Sequence, residues 1–114
     1  MTRRTALITG ASSGIGRALA AEFARHSFDL VLVARDEARL QAVAGHLRTR
    51  SGVGVTVLPM DLARPAAPEE LFGEVHRRQI MVYVLVNSAG KQVFGPVQDI
   101  PIDGQLRLIQ VTLV

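Results

Sequence analysis

The run TGASSGIG, Thr9–Gly16, places three glycines and two serines in eight positions. It lies between an apolar run, TALI, and a stretch of helical character, RALAAEFA. Gly10 can supply the positive φ of a tight turn. Gly14 and Gly16 have no Cβ, so a ligand or a neighbouring strand can come close to the main chain there. A helix beginning near Ile15 aims free N–H groups and the positive end of its dipole at the same point. Phosphate is the natural occupant of such a place, and Ser12 and Ser13 could add hydroxyl donors. The same residues would also serve as a plain turn into a capped helix. Their spacing, Gly-x-x-x-Gly-x-Gly, differs from the common Gly-x-Gly-x-x-Gly fingerprint. It is not a triphosphate loop either, because no Gly-Lys-Ser/Thr follows.

Other chemistry is sparse. The chain has no cysteine, which removes disulfides and thiolate metal sites and fits a cytoplasmic location. His26, His46 and His76 fall among helix-surface residues without carboxylates at metal-ligand spacing, so no metal site is expected. Tyr83, the single tyrosine, sits inside an apolar run. No catalytic residue can be assigned.

Elements able to position the glycine run are legible around it. Four apolar runs have strand character: Thr5–Thr9, Asp29–Arg35, Val53–Pro59 and Met81–Asn87. DLVLVAR is nearly continuous leucine and valine, the pattern of a strand covered on both faces. Between the runs, apolar residues recur at helical spacing: Ile15, Leu19 and Phe23, then Leu40, Val43, Ala44 and Leu47 after a candidate N-cap at Asp36. Pro68 suits a first helical turn ahead of Leu71, Phe72 and Val75. A last periodic stretch from Asp103, with Leu106, Ile109 and Leu113, reads as a fourth helix. The βαβαβαβα order predicts an α/β fold with a parallel sheet, right-handed crossovers and helices on both faces.

The chain has 114 residues, 48% of them apolar, and a net charge of +3, which fits one small folded domain and argues against disorder. Arginines are scattered rather than clustered, and aromatics are few, so no nucleic-acid partner is expected. No apolar run reaches the roughly 18 residues needed to cross a bilayer, so no membrane partner is expected either.

Beyond these features, the glycine run resembles the cofactor loop of the short-chain dehydrogenase/reductase family. Four further stretches match in order: VARDEARL (Val33–Leu40), MDL (Met60–Leu62), VLVNSAG (Val84–Gly90) and FGPVQDIPIDGQLRLIQVTL. The resemblance covers essentially the whole chain. It implies a partial Rossmann-type doubly wound sheet of four strands in the order 3-2-1-4. It implies that residues 1–114 form a cofactor-binding domain, ending within the fourth helix as if truncated. Thr9, Gly10, Ser12, Ser13, Gly14, Ile15 and Gly16 would hold the pyrophosphate and ribose of a nicotinamide dinucleotide. Asp61 and Leu62 would border the adenine, and Asn87, Ala89 and Gly90 would close the floor near the nicotinamide ribose. At the end of the second strand an acidic residue would bond the ribose 2′-hydroxyl and repel a 2′-phosphate. Ala34 and Arg35 stand there, and the guanidinium fork of Arg35 suits a phosphate, so NADP is expected rather than NAD.

The chain departs from the family in three respects. The family's active-site Ser and its Tyr-x-x-x-Lys are absent, and Lys91, the only lysine, has no tyrosine four residues before it. Thr112 replaces the Asn usual in the fourth helix, and Ser88 replaces the second Asn of NNAG. The implied function is therefore an NADP-dependent oxidoreductase to which this chain contributes the cofactor-binding half. The alternative is a non-catalytic nucleotide-binding or interaction module. With no fifth strand expected, the apolar fourth strand would also be a bare edge, prone to self-association.

Overall fold

The structure, a computed structural model, describes residues 3–12, 14–88 and 109–112. Helices and strands alternate as the sequence pattern predicts: β1 (Thr5–Thr9), α1 (Gly14–Arg25), β2 (Asp29–Ala34), α2 (Glu37–Ser51), β3 (Val55–Pro59), α3 (Ala67–Arg77) and β4 (Val82–Asn87). A further strand, β5 (Ile109–Thr112), completes the described elements. The sheet runs β3-β2-β1-β4-β5, and every pairing in it is parallel.

Alternation along the strands divides the core in two. Ala6, Ile8, Leu30, Leu32, Val84 and Val86 form one buried cluster with Ala20 and Ala24 of α1 and Leu40, Ala44 and Leu47 of α2. Leu7, Val31, Val33 and Leu85 form the other, with Leu71 and Val75 of α3. Helices therefore cover both faces, and the central strands have no polar face to alternate with. On α1 the buried positions are Gly16, Ala20 and Ala24. These small residues, four apart, let the helix lie close to the sheet.

Caps fix where α2 begins and ends. The Asp36 carboxylate accepts the Arg39 N–H, and Gly52 closes the helix at φ 70° with its N–H on the Arg48 carbonyl. Proline stands in the first turn of α3, where its missing N–H costs nothing.

Two expectations need correction. The fourth helix is not found over 109–112, where the chain is strand; residues 103–108 and 113–114 lie outside the described residues. Three of these four residues, Ile109, Val111 and Thr112, are β-branched and favour extended backbone. The outer edge of β4 offers a row of backbone donors and acceptors that a parallel neighbour satisfies. Consequently Val84–Asn87 is paired with Ile109–Thr112, and the bare β4 edge invoked for self-association is occupied. Thr112, expected on the helix, stands in register with Asn87.

Candidate dinucleotide site

Strand register brings the predicted site residues to the carboxyl edge of the sheet. Thr9 pairs with Val33 of β2 on one side and Asn87 of β4 on the other. Beyond the strands, the Ala11 N–H reaches the Val33 carbonyl at 3.3 Å and the Met60 N–H reaches the Ala34 carbonyl at 2.9 Å. The glycine loop, Arg35, Asp61 and the end of β4 thus follow one another along a single edge. In open α/β sheets ligands bind at this edge, where the strand order reverses. Here it reverses between β1 and β4.

The three glycines of the loop do different things. Gly10 turns the chain at φ 65°, and a Cβ there would stand 3.0 Å from the Ser88 carbonyl oxygen. Gly14 opens α1 at φ 59° with open space where a side chain would be. Gly16 provides close approach: a Cβ there would collide with the Gly10 carbonyl and come within 2.5 Å of Ser88 Oγ. Together they make a cradle at the N-terminus of a twelve-residue helix, with nothing among the described residues within 4 Å of where a Gly14 Cβ would stand. That geometry suits an anion of phosphate size. Ser12 is half-buried in the loop, whereas Ile15 is 60% exposed beside it. Ser13, Ala89 and Gly90 lie outside the described residues.

Thr9 and Asn87 have no exposed surface at all. Thr9 Oγ1 donates to Asn87 Oδ1 at 2.9 Å and accepts the Ser88 N–H at 3.2 Å. In this geometry both side chains tie the ends of β1 and β4 together beneath the loop, with no face open to a ligand. Ser88 completes the tie, its hydroxyl donating to the Thr9 carbonyl. The sequence drew attention to Ser88 only as a substitution; the missing signal was register, which sets position 88 against position 9.

At the β2 end, Arg35 is exposed and has no carboxylate partner among the described residues. Its neighbour Asp36 is committed to α2. One carboxylate oxygen takes the Arg39 N–H at 3.1 Å, and the other lies 3.6 Å from Arg39 Nε. The positive charge of Arg35 is therefore not cancelled by the residue beside it. Asp61 shapes the next loop, its Oδ1 accepting the Ala63 N–H at 3.0 Å, and Leu62 packs on the α3 side of the core.

Tyr83 is at the opposite end of the sheet. Its ring lies 6.5 Å from that of Phe28 and 4.3 Å beneath the Arg4 guanidinium, remote from the glycine loop. A cleft of about 640 Å³ opens at that end too, lined by Arg3, Asp29, Arg48 and Met81 among others. Its carboxylate is taken up by the Gly54 N–H at 2.8 Å and by Arg3. Among the described residues no group of His, Asp and Glu is placed to hold a metal ion. No helix among them is long and apolar enough to cross a membrane.

A parallel sheet with this strand order, whose first strand turns through glycines into a helix, defines a Rossmann-type nucleotide-binding fold. The sequence profile of short chain dehydrogenases matches residues 4–114, and the chain belongs to that family. It is 35% identical over 111 residues to a short chain dehydrogenase/reductase of Macrophomina phaseolina, covering 96% of this chain and 63% of that protein. Among solved structures, the alcohol dehydrogenase of Thermococcus sibiricus complexed with 5-hydroxy-NADP superposes with a TM-score of 0.73 at 35% identity, covering 88% of this chain and 43% of that one. A short-chain dehydrogenase of Sphingobium yanoikuyae in complex with NADPH gives a TM-score of 0.66 at 49% identity, over 73% of this chain and 32% of that one. Across three such relatives the chain spans 32%, 63% and 33% of their length.

Proposed function

We propose that residues 1–114 are the cofactor-binding half of an NADP(H)-dependent oxidoreductase, which moves hydride between the nicotinamide and a carbonyl or alcohol substrate. The observation that carries this reading is the cradle of Gly10, Gly14 and Gly16, with Arg35 uncancelled at the adjoining strand end. The residues present fit the dinucleotide. The loop N–H groups and the start of α1 would receive the pyrophosphate, aided by Ser12 and Ser13. Arg35 would take the 2′-phosphate through charge-assisted bonds. Asp61 and Leu62 would flank the adenine, and Ile15, Ala89 and Gly90 would line the path to the nicotinamide ribose. Thr9 and Asn87 serve the same site by holding β1 and β4 together. The preference for NADP is supported by Asp36, whose charge is bound up in the α2 cap. The related structures bound to NADP-type cofactors support it as well.

Bound cofactor supplies the hydride; the residues of this chain bind and orient it. Carbonyl reduction also needs a proton donor near the nicotinamide, a contribution of typically 10²–10⁴-fold. Tyr83 cannot be that donor, since it packs with Phe28 and Arg4 at the wrong end of the sheet. The purified chain should therefore enhance NADPH fluorescence saturably, yet oxidise NADPH only at background rate against a panel of aldehydes and ketones. Turnover that co-purifies with the chain and falls on Tyr83→Phe would contradict this division of labour.

A further inference from the structure

We propose that the Ser88 hydroxyl is a positioning group for the glycine loop, setting the orientation in which the loop meets the pyrophosphate. The proposal rests on the nucleotide-binding reading above and goes beyond it, because Ser88 belongs to β4's end and not to the loop.

Residues 9 and 88 are joined reciprocally. The Ser88 N–H donates to Thr9 Oγ1 at 3.2 Å, and the Ser88 hydroxyl donates back to the Thr9 carbonyl. Thr9 C=O and Gly10 N–H are parts of one rigid peptide plane. Holding the carbonyl therefore fixes where the first N–H of the loop points. Gly10 follows at φ 65°, and a glycine in that region has many other conformations open to it. The hydroxyl fixes the peptide plane from which that turn starts.

Ser88 also fills the space on which the loop rests. A Cβ on Gly10 would lie 3.0 Å from Ser88 Oγ, and one on Gly16 would lie 2.5 Å from it. The same oxygen thus stands under both ends of the loop, the turn out of β1 and the first turn of α1. Without it, the Thr9 carbonyl loses that donor and the peptide plane entering the loop loses its restraint.

Loss of preorganisation should appear in binding more than in stability, because Thr9 Oγ1 still links the strand ends through Asn87. It should also be local. The adenosine corner at Arg35 and Asp61 belongs to the ends of β2 and β3, which Ser88 does not touch. In the full chain, Ser88→Ala should raise the Kd for NADPH about tenfold, the scale of one hydrogen bond, and leave that for 2′-AMP, which lacks the 5′-phosphate, within about twofold. The melting temperature should move little, and amide exchange over Gly10–Gly16 should quicken while β1 and the interior of α1 keep their protection.

Equal weakening of both ligands together with a lower melting temperature would show a merely structural role and overturn the proposal. So would unchanged NADPH binding. If Ser88→Ala does not fold, Ser88→Cys, which keeps a weaker donor of similar shape, should fold and show the same split between ligands. A Cys variant that is also unfolded, or that loses both ligands alike, counts against it. Failure of the wild-type chain to bind either ligand would instead strike at the nucleotide reading itself.

Discussion

At the scale of single residues, the site depends on side chains that are absent or small. Gly16 is the sharpest case, because the obstacle to a Cβ there is the Gly10 carbonyl, which is backbone and cannot rotate aside. Gly16→Ala should cost about 1–3 kcal/mol by overpacking, read from urea denaturation, and should weaken nucleotide binding by displacing α1 from the loop. Wild-type stability in that variant would mean the loop and helix do not meet as described. The turn at Gly10 and the close approach at Gly16 were legible in the sequence because the glycines lay between a strand pattern and a helix pattern. The burial of Thr9 and Asn87 was not. Read from the motif they look like ligand contacts, whereas parallel register sets them opposite each other with no exposed surface. Ser88 was harder still, since its importance comes from a hydrogen bond 79 residues back along the chain.

At the scale of elements, local signals did well wherever one signal dominated. Continuous apolar runs and period-3.6 patterns placed four strands and three helices, and Asp36 was identifiable as the start of α2. Asp36→Ala should lower stability by about 0.5–2 kcal/mol through loss of the cap, measured by thermal or chemical unfolding. NADP preference should survive, because that carboxylate faces Arg39. A preference that strengthens sharply would mean Asp36 faces the nucleotide after all. In the stretch from Asp103 two signals compete: helical spacing of Leu106, Ile109 and Leu113, and β-branched residues beside a strand edge in need of partners. Over 109–112 the edge wins. On α3, Glu74 accepts from Arg77 and from Arg78, which together hold its carboxyl below the ordinary value of 4.5, Arg77 contributing most. A lowered folded value means that the interaction stabilises above the unfolded value near 4.5 and fades as pH falls through the folded one. Carboxyl NMR titration should find the Glu74 midpoint below 4.5, moving upward in Arg77→Ala. A midpoint at or above 4.5 in the wild type would contradict the pairing.

At the scale of the whole molecule, the strand order places the glycine loop, Arg35 and Asp61 along one edge and leaves Tyr83 at the other. Alternating strands and helices had already implied a parallel sheet. The order of its first four strands was anticipated through the family resemblance of the motifs, since alternation alone leaves strand order open. The fifth strand could not be, since the helical spacing of Leu106, Ile109 and Leu113 hides the strand tendency of residues 109–112. In the proposed function, this edge binds NADP(H) through the glycine loop and Arg35. Isothermal titration of the purified chain with NADPH and NADH, repeated on Arg35→Ala, tests it most directly. The wild type should bind NADPH more tightly, and Arg35→Ala should lose about one to two decades of NADPH affinity, the scale of a charge-assisted bond, with NADH affinity unchanged. Equal affinity for the two cofactors before and after the substitution would contradict the role of Arg35, and absence of binding to either would contradict the site.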